Sequence, residues 1–167
     1  FALSNPNAFQ AFIQHYESIV AYARNEDKHS PVEWRNISGL PHGYLQGGYY
    51  DGQGYLRREV LLDWPQELVN SFSNKKPALT STSLRNFYTK LRSLDARQKA
   101  VRDMAVVLPQ IYAFERDAAY AANRKVVPPL FYSFLVHNVN LATQSRKDFI
   151  GFQEHFQALV AFGKGTL

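Results

Sequence analysis

Cysteine is absent from the 167-residue chain. That excludes disulfides, thiolate nucleophiles and cysteine-ligated zinc. No apolar run approaches the roughly 18 residues needed to cross a bilayer, so no membrane partner is expected. The five histidines, His15, His29, His42, His137 and His155, include no pair three to five residues apart. Such local spacing is what zinc sites usually show, so no metal site is expected. The glycine-rich stretch "PHGYLQGGYYDGQG" (Pro41 to Gly54) lacks the Lys-Ser/Thr ending of a phosphate loop, and "GKGT" at Gly163 to Thr166 lacks its preceding spacing. No carboxylate pair and no local Ser/His/Asp order stands out. The chain therefore reads as non-enzymatic, with no catalytic residue and no cofactor. It opens on Phe1 rather than Met, as a trimmed or processed terminus would, and shows no signal peptide. The expected location is cytoplasmic.

What the chain does have is a lopsided charge. Before Thr80 there are 7 Lys+Arg against 8 Asp+Glu; from Thr80 onward there are 12 against 6. A balance of −1 followed by +6 makes the net +5 a property of the C-terminal half. Such asymmetry fits a polyanionic partner on one surface, or simply a soluble basic protein.

Apolar periodicity is helical nearly throughout. Asn5-Pro6-Asn7 reads as a helix start, followed by a face of Phe9, Phe12, Tyr16, Ile19 and Val20 that is expected to pack on the bundle or on a neighbouring subunit. Residues 25–38 read as a loop. Pro41 to Gly54 holds five of the nine glycines and must be rich in turns. A helix is expected from Arg57 to Phe72, bent or begun at Pro65. Thr80 to Ser83 offers hydroxyl caps for a helix from Leu84, and Pro109 is expected to divide or kink the long helical pattern ending near Lys125. Further helices are expected over Leu130 to Ala142 and Phe149 to Phe162. No alternating strands appear. The fold class is all-α, a compact antiparallel helical bundle with a Gly/Tyr-rich N-terminal loop region, divided into residues 1–40 and a helical domain over 41–167.

The helix opening at Leu84 carries the charge excess: Arg85, Lys90, Arg92, Arg97, Lys99 and Arg102 against Asp95 and Asp103. Arg85, Arg92 and Lys99 recur every seven residues and drift only about 20° per step, so they form one stripe with Tyr88 close by. The stripe borders the apolar face, where arginine stems pack along the core edge while their heads face a neighbour. Rows of cations suit a phosphate backbone. Arg116, Arg124 and Lys125 are expected to extend this surface from the next helix.

Several segments resemble, in order, the Csm-type small subunit of type III CRISPR effector complexes. "GYYDGQGYLRREVLLDW" (Gly48 to Trp64) is similar to the family's Gly-Tyr-aromatic-Asp segment leading into a helix. "LTSTSLRNFYTKLRSL" (Leu79 to Leu94) resembles its Leu-Thr-x-x-x-hydrophobic-Arg-x-Phe helix. "AAYAANRK" (Ala118 to Lys125) resembles its Ala-Tyr-Ala-x-x-Arg segment, and "FIGFQEHFQALVAFGKG" its closing aromatic helix. The family tends to place a lysine just before the Ala-Tyr pair; this chain has Asp117 and Ala118 there, with Arg116 adjacent. The resemblance covers about Gly48 to Gly165. It implies a non-catalytic helical subunit of a ribonucleoprotein whose copies stack beside the backbone subunits, along the guide RNA–target RNA duplex, with a large subunit also present. With RNA as the implied partner, the residues expected to contact it are those of the stripe and its extension: Arg85, Tyr88, Arg92, Lys99, Arg116, Arg124 and Lys125. The alternatives are a stand-alone nucleic-acid-binding helical module and a protein-binding adaptor.

The chain also resembles itself. "FQAFIQHYESIVAYAR" (Phe9 to Arg24) aligns without gaps on "FIGFQEHFQALVAFGK" (Phe149 to Lys164), with Phe9, Phe12, His15, Val20 and Ala21 matched identically. Two helices obeying one packing pattern would give this, as would a duplication. His15 and His155 hold equivalent places, which fits packing or hydrogen bonding.

Overall fold

The computed structural model describes residues 39–101 and 103–167. The expectations for the Phe9 to Arg24 helix and the loop after it fall outside the described residues. Five α-helices follow a turn-rich loop: α1 (Trp64–Ser73), α2 (Ser81–Val101), α3 (Met104–Asn123), α4 (Pro129–Ala142) and α5 (Arg146–Gly163). No named strand occurs among the described residues, and the all-α expectation holds. The only extended pairing there is an isolated bridge between Tyr50 and Leu56.

The helix starts follow from side-chain capping. Thr80 Oγ1 accepts from Ser83 N at 3.1 Å, as its place before α2 suggests. Ser145 Oγ accepts from Asp148 N at 3.0 Å at the head of α5. Asp103 stands in an extended conformation and its carboxylate accepts from Ala105 N at 2.9 Å, starting α3. This corrects the expectation that Pro109 divides the pattern. The long basic pattern breaks just before Asp103, where a carboxylate caps a new helix, and Pro109 lies within α3. Pro109 is the sixth residue of α3, so it removes the backbone donor that would otherwise bond the Ala105 carbonyl, and the helix continues through it.

Pro65 acts differently. It occupies the first turn of α1 and is preceded by a five-residue π-helical turn, Glu59–Asp63. Trp64 N–H therefore donates to Glu59 O. The Val60 carbonyl would next receive Pro65 N, which has no hydrogen, so Val60 O is left without a helical donor. That vacancy shapes the interior, as described below.

Short connections fold the helices back on one another. α3 packs on α2 and α4, α5 packs on α1, α2 and α4. The α2–α5 pair is antiparallel, since Leu84 lies against Gly163 while Tyr88 meets Phe156 and Gln157. The core is aromatic. Phe72, Phe131, Phe134, Phe149, Phe152 and Phe156 are fully buried, with Leu84, Leu91, Ile111 and Val107 around them. The Gly/Tyr-rich loop closes one side through successive tight turns, in which Tyr44 N, Gln46 N and Gly48 N donate to the carbonyls three residues earlier. These turns send Tyr44, Leu45 and Tyr49 inward. Arg57 pins the loop, donating from Nη1 to Gln46 O at 2.7 Å and Gly48 O at 3.2 Å while its guanidinium lies over the Trp64 ring.

Tyr49 reaches α5 only because position 151 is glycine. A Cβ added there would lie 2.6 to 2.8 Å from the Tyr49 Cγ, Cβ and Cδ2 atoms. Gly151→Ala gains about 1 kcal/mol of helix propensity and incurs about 3 kcal/mol of overpacking. The clash meets the root of a buried ring rather than a flexible tip, so overpacking wins. A net loss of about 2 kcal/mol is expected by urea unfolding; a variant as stable as the parent would show that the loop yields freely.

Candidate nucleic-acid interface

The proposed cations occupy two edges of α2, not one continuous surface. Tyr88 marks the α5 side: its hydroxyl donates to Gln157 Oε1 at 3.1 Å and its ring stacks on Phe156. The Arg92 guanidinium lies 6.0 Å over the Tyr88 ring. Arg85 and Lys99, one heptad to either side of Arg92, continue that edge, and all three are exposed. Their pairing differs. Lys99 Nζ is bound to Asp95 Oδ2 at 2.7 Å, one helical turn away. Arg85 and Arg92 make no ion pair with any described residue. Tyr88 is half-buried and engaged by α5, so it braces Arg92 more than it offers a free ring.

The α3 residues lie on the opposite edge of α2. Lys90 Nζ meets Asp117 Oδ2 at 2.8 Å, and Arg116 Nη2 meets Asp117 Oδ1 at 3.2 Å. Asp117 thus sits between two cations, which offsets its charge where the related segment would carry a lysine. Arg124 lies over the Tyr120 ring at 5.5 Å and donates from Nη1 to the Tyr120 hydroxyl at 3.2 Å. Lys125 follows with a left-handed backbone, φ 57°. It closes α3: Lys125 N donates to Ala122 O and Val126 N to Ala121 O, the paired bonds of a helix end that usually places glycine at this position. The expectation that Arg116, Arg124 and Lys125 extend the stripe is corrected to this extent. They flank a second, separate basic edge, because α3 and α5 pack along opposite sides of the apolar face of α2 and leave an exposed edge beside each.

Between α2 and α3 runs a groove of about 540 Å³ with Lys90, Asp117 and Tyr120 on its walls. Among the described residues no three His, Asp or Glu side chains gather as metal ligands. No described helix is long and apolar enough to cross a membrane.

A buried polar chain escaped the sequence reading. Tyr49 OH donates to Asn138 Oδ1 at 2.8 Å. Asn138 Nδ2 donates to Tyr44 OH at 2.8 Å and to Phe134 O at 2.8 Å. The Tyr44 hydroxyl lies 2.8 Å from His155 Nε2, and His155 Nδ1 reaches the Val60 carbonyl left open by Pro65. With Nδ1 carrying the hydrogen, each group gives and receives in one direction. Burial lowers the His155 pKa to about 4, so the ring is neutral and its role is structural. Burial likewise raises the Tyr44 and Tyr49 hydroxyls well above their usual range. The expectation of a hydrogen-bonding role for His155 holds. Tyr44 and Asn138 carried no local signal, because their partners lie far away in the chain.

The fold and these surfaces define a small, basic, all-α protein with cations on exposed helix edges and a buried polar chain that serves structure. A family model, Csm2 Type III-A, matches residues 60–166, and the chain belongs to that family. It is a small subunit of a type III CRISPR complex, from a structural rather than an enzymatic family. No curated protein and no solved structure shows significant similarity to it. The match takes in all five α-helices described above and begins at Val60, the residue whose carbonyl His155 caps.

Proposed function

We propose that this chain is the RNA-facing small subunit of a cytoplasmic type III effector, non-catalytic, stacked in copies along the backbone subunits and beside the large subunit. The observation that carries this is the exposed Arg85–Arg92–Lys99 stripe on one edge of α2, in a chain of this family. Guanidinium groups in a row neutralise phosphates without reading bases, which suits a complex whose specificity comes from guide–target pairing. Arg85 and Arg92 are the principal contacts, since Asp95 already occupies Lys99. Tyr88 orients Arg92. Arg116, Arg124 and Lys125 form a second contact region. Residues 41–167 are the unit that enters the complex.

The test is RNA-duplex affinity against salt. Replacing Arg85, Arg92 and Lys99 together by glutamine should weaken binding and flatten the salt slope by roughly one unit or less per lost contact. The thermal midpoint should stay put, because all three side chains lie outside the core. A folded triple variant with the parent's affinity and slope would exclude the stripe as an RNA surface and leave the protein-binding adaptor reading.

A further inference from the structure

We propose that the outer face of α3, together with the groove it forms with α2, binds single-stranded RNA by stacking unpaired bases on Tyr112 and Tyr120. This rests on the nucleic-acid reading above but uses the other edge of α2 and a different chemistry.

Tyr112, Arg116, Tyr120 and Arg124 follow one another at four-residue intervals, the first three within α3 and Arg124 as its C-terminal cap. Each step turns about 40° and rises about 6 Å, so ring, cation, ring and cation form a ladder that winds through roughly 120° of the outer side of the helix. Both rings stand in solvent, Tyr112 at 55% and Tyr120 at 50% exposure, whereas the phenylalanines of the core are shut in. Arg124 lies over one face of the Tyr120 ring and donates to its hydroxyl, so a base would stack on the opposite face with this cation close by to meet its phosphate. The neighbouring groove, about 540 Å³, falls within the usual range for small-molecule sites. Its walls offer Ser83, Asn86, Thr89 and Lys90 beside Tyr120, groups that pair with base edges and sugar hydroxyls. The groove's carboxylate, Asp117, is countered by Lys90 and Arg116, so an anion is not repelled.

A duplex hides its base faces, and exposed tyrosines give it nothing to grip. A single strand presents them, and base–aromatic stacking with cations alongside is how such strands are held without sequence preference. Rings alternating with cations distinguish this face from the stripe, where Tyr88 is packed against α5 and only cations project.

The experiment compares a short oligouridylate with a blunt RNA duplex, each titrated against the full chain. Tyr112→Ala and Tyr120→Ala should each weaken oligouridylate binding by roughly ten-fold and leave the duplex unaffected. Tyr120→Phe, which keeps the ring, should retain most of the affinity. The Arg85/Arg92/Lys99 glutamine variant should show the reverse preference. Unchanged thermal midpoints confirm that the exposed rings were removed without disturbing the fold. Oligouridylate that fails to bind the parent, or binds the tyrosine variants equally well, overturns the ladder and marks the face as protein-facing. A stripe variant that keeps full duplex affinity overturns the duplex reading alone and leaves the ladder standing.

Discussion

Phe156→Ala is expected to lower the stability of the bundle by about 3–5 kcal/mol, the range for truncating a buried phenylalanine. Phe156 is fully buried at the meeting point of α2, α3, α4 and α5. Its ring contacts those of Tyr88, Phe114, Phe131, Phe134 and Phe152, with centroids 5.8 to 6.4 Å apart. Truncation removes the shared partner of all of them. The five rings are spread over four helices, so they cannot close together without shifting backbones, and the cavity term is retained. The loss of the Tyr88 stacking surface also frees Arg92 from its brace. Urea unfolding should show a lower midpoint with little change in slope, and Phe156→Leu should recover a good part of the loss. A loss below about 1 kcal/mol for the alanine variant would mean that the surrounding rings collapse into the space and that Phe156 is not central to the core.

How much of this was legible beforehand varies with the range of the interaction. The inward face of α2 could be read from its spacing, and Leu84, Phe87 and Leu91 are buried as that spacing requires. The hydroxyl cap at Thr80 was equally local. Pro109 misled because a proline inside a helical pattern is ambiguous, while the Asp103 cap that sets the boundary looks like any acidic residue. The split of the cations between two edges depends on which sides of α2 are taken by α3 and α5, and no short window of sequence reports that. The Tyr49–Asn138–Tyr44–His155 chain joins residues 89 to 111 positions apart. Its sequence trace is faint: tyrosines set between glycines in the loop, a lone Asn and a lone His on apolar faces.

The likeness between Phe9–Arg24 and Phe149–Lys164 carries a further lesson. Ala11 stands where α5 has Gly151, and Ala23 where it has Gly163. In α5 those two gaps are taken up by Tyr49 and by Leu84, which an added Cβ would approach to 3.0 Å at position 163. Similar apolar spacing therefore does not make the two segments interchangeable. The shared pattern describes an aromatic helix face; the two glycines specify which neighbours it accepts.

Acid should expose the buried histidine. His155 has a folded-state pKa of about 4, lowered mainly by burial, against about 6.5 in an unfolded chain. Between those values the unfolded chain binds a proton that the folded chain refuses, so stability rises with pH across this window. Above about pH 6.5 the ring is neutral in both states and exacts nothing. As pH falls toward 4 the loss grows, reaching on the order of 3 kcal/mol, and it levels off below the folded pKa. Carboxylates titrate in the same region, so the measurement is a difference. His155→Gln supplies an amide that donates toward Val60 O and accepts from the Tyr44 hydroxyl, yet takes up no proton. At pH 8 the variant should be the less stable of the two, because the amide fits the slot less well than the ring. Towards pH 4 the parent should lose stability faster, and the gap should narrow or reverse by up to about 3 kcal/mol. Denaturant unfolding of both proteins at several pH values between 8 and 4 reads this directly. Parallel stability profiles over that range would mean that His155 takes up its proton as readily in the folded protein as in the unfolded chain, and that burial does not hold the ring neutral.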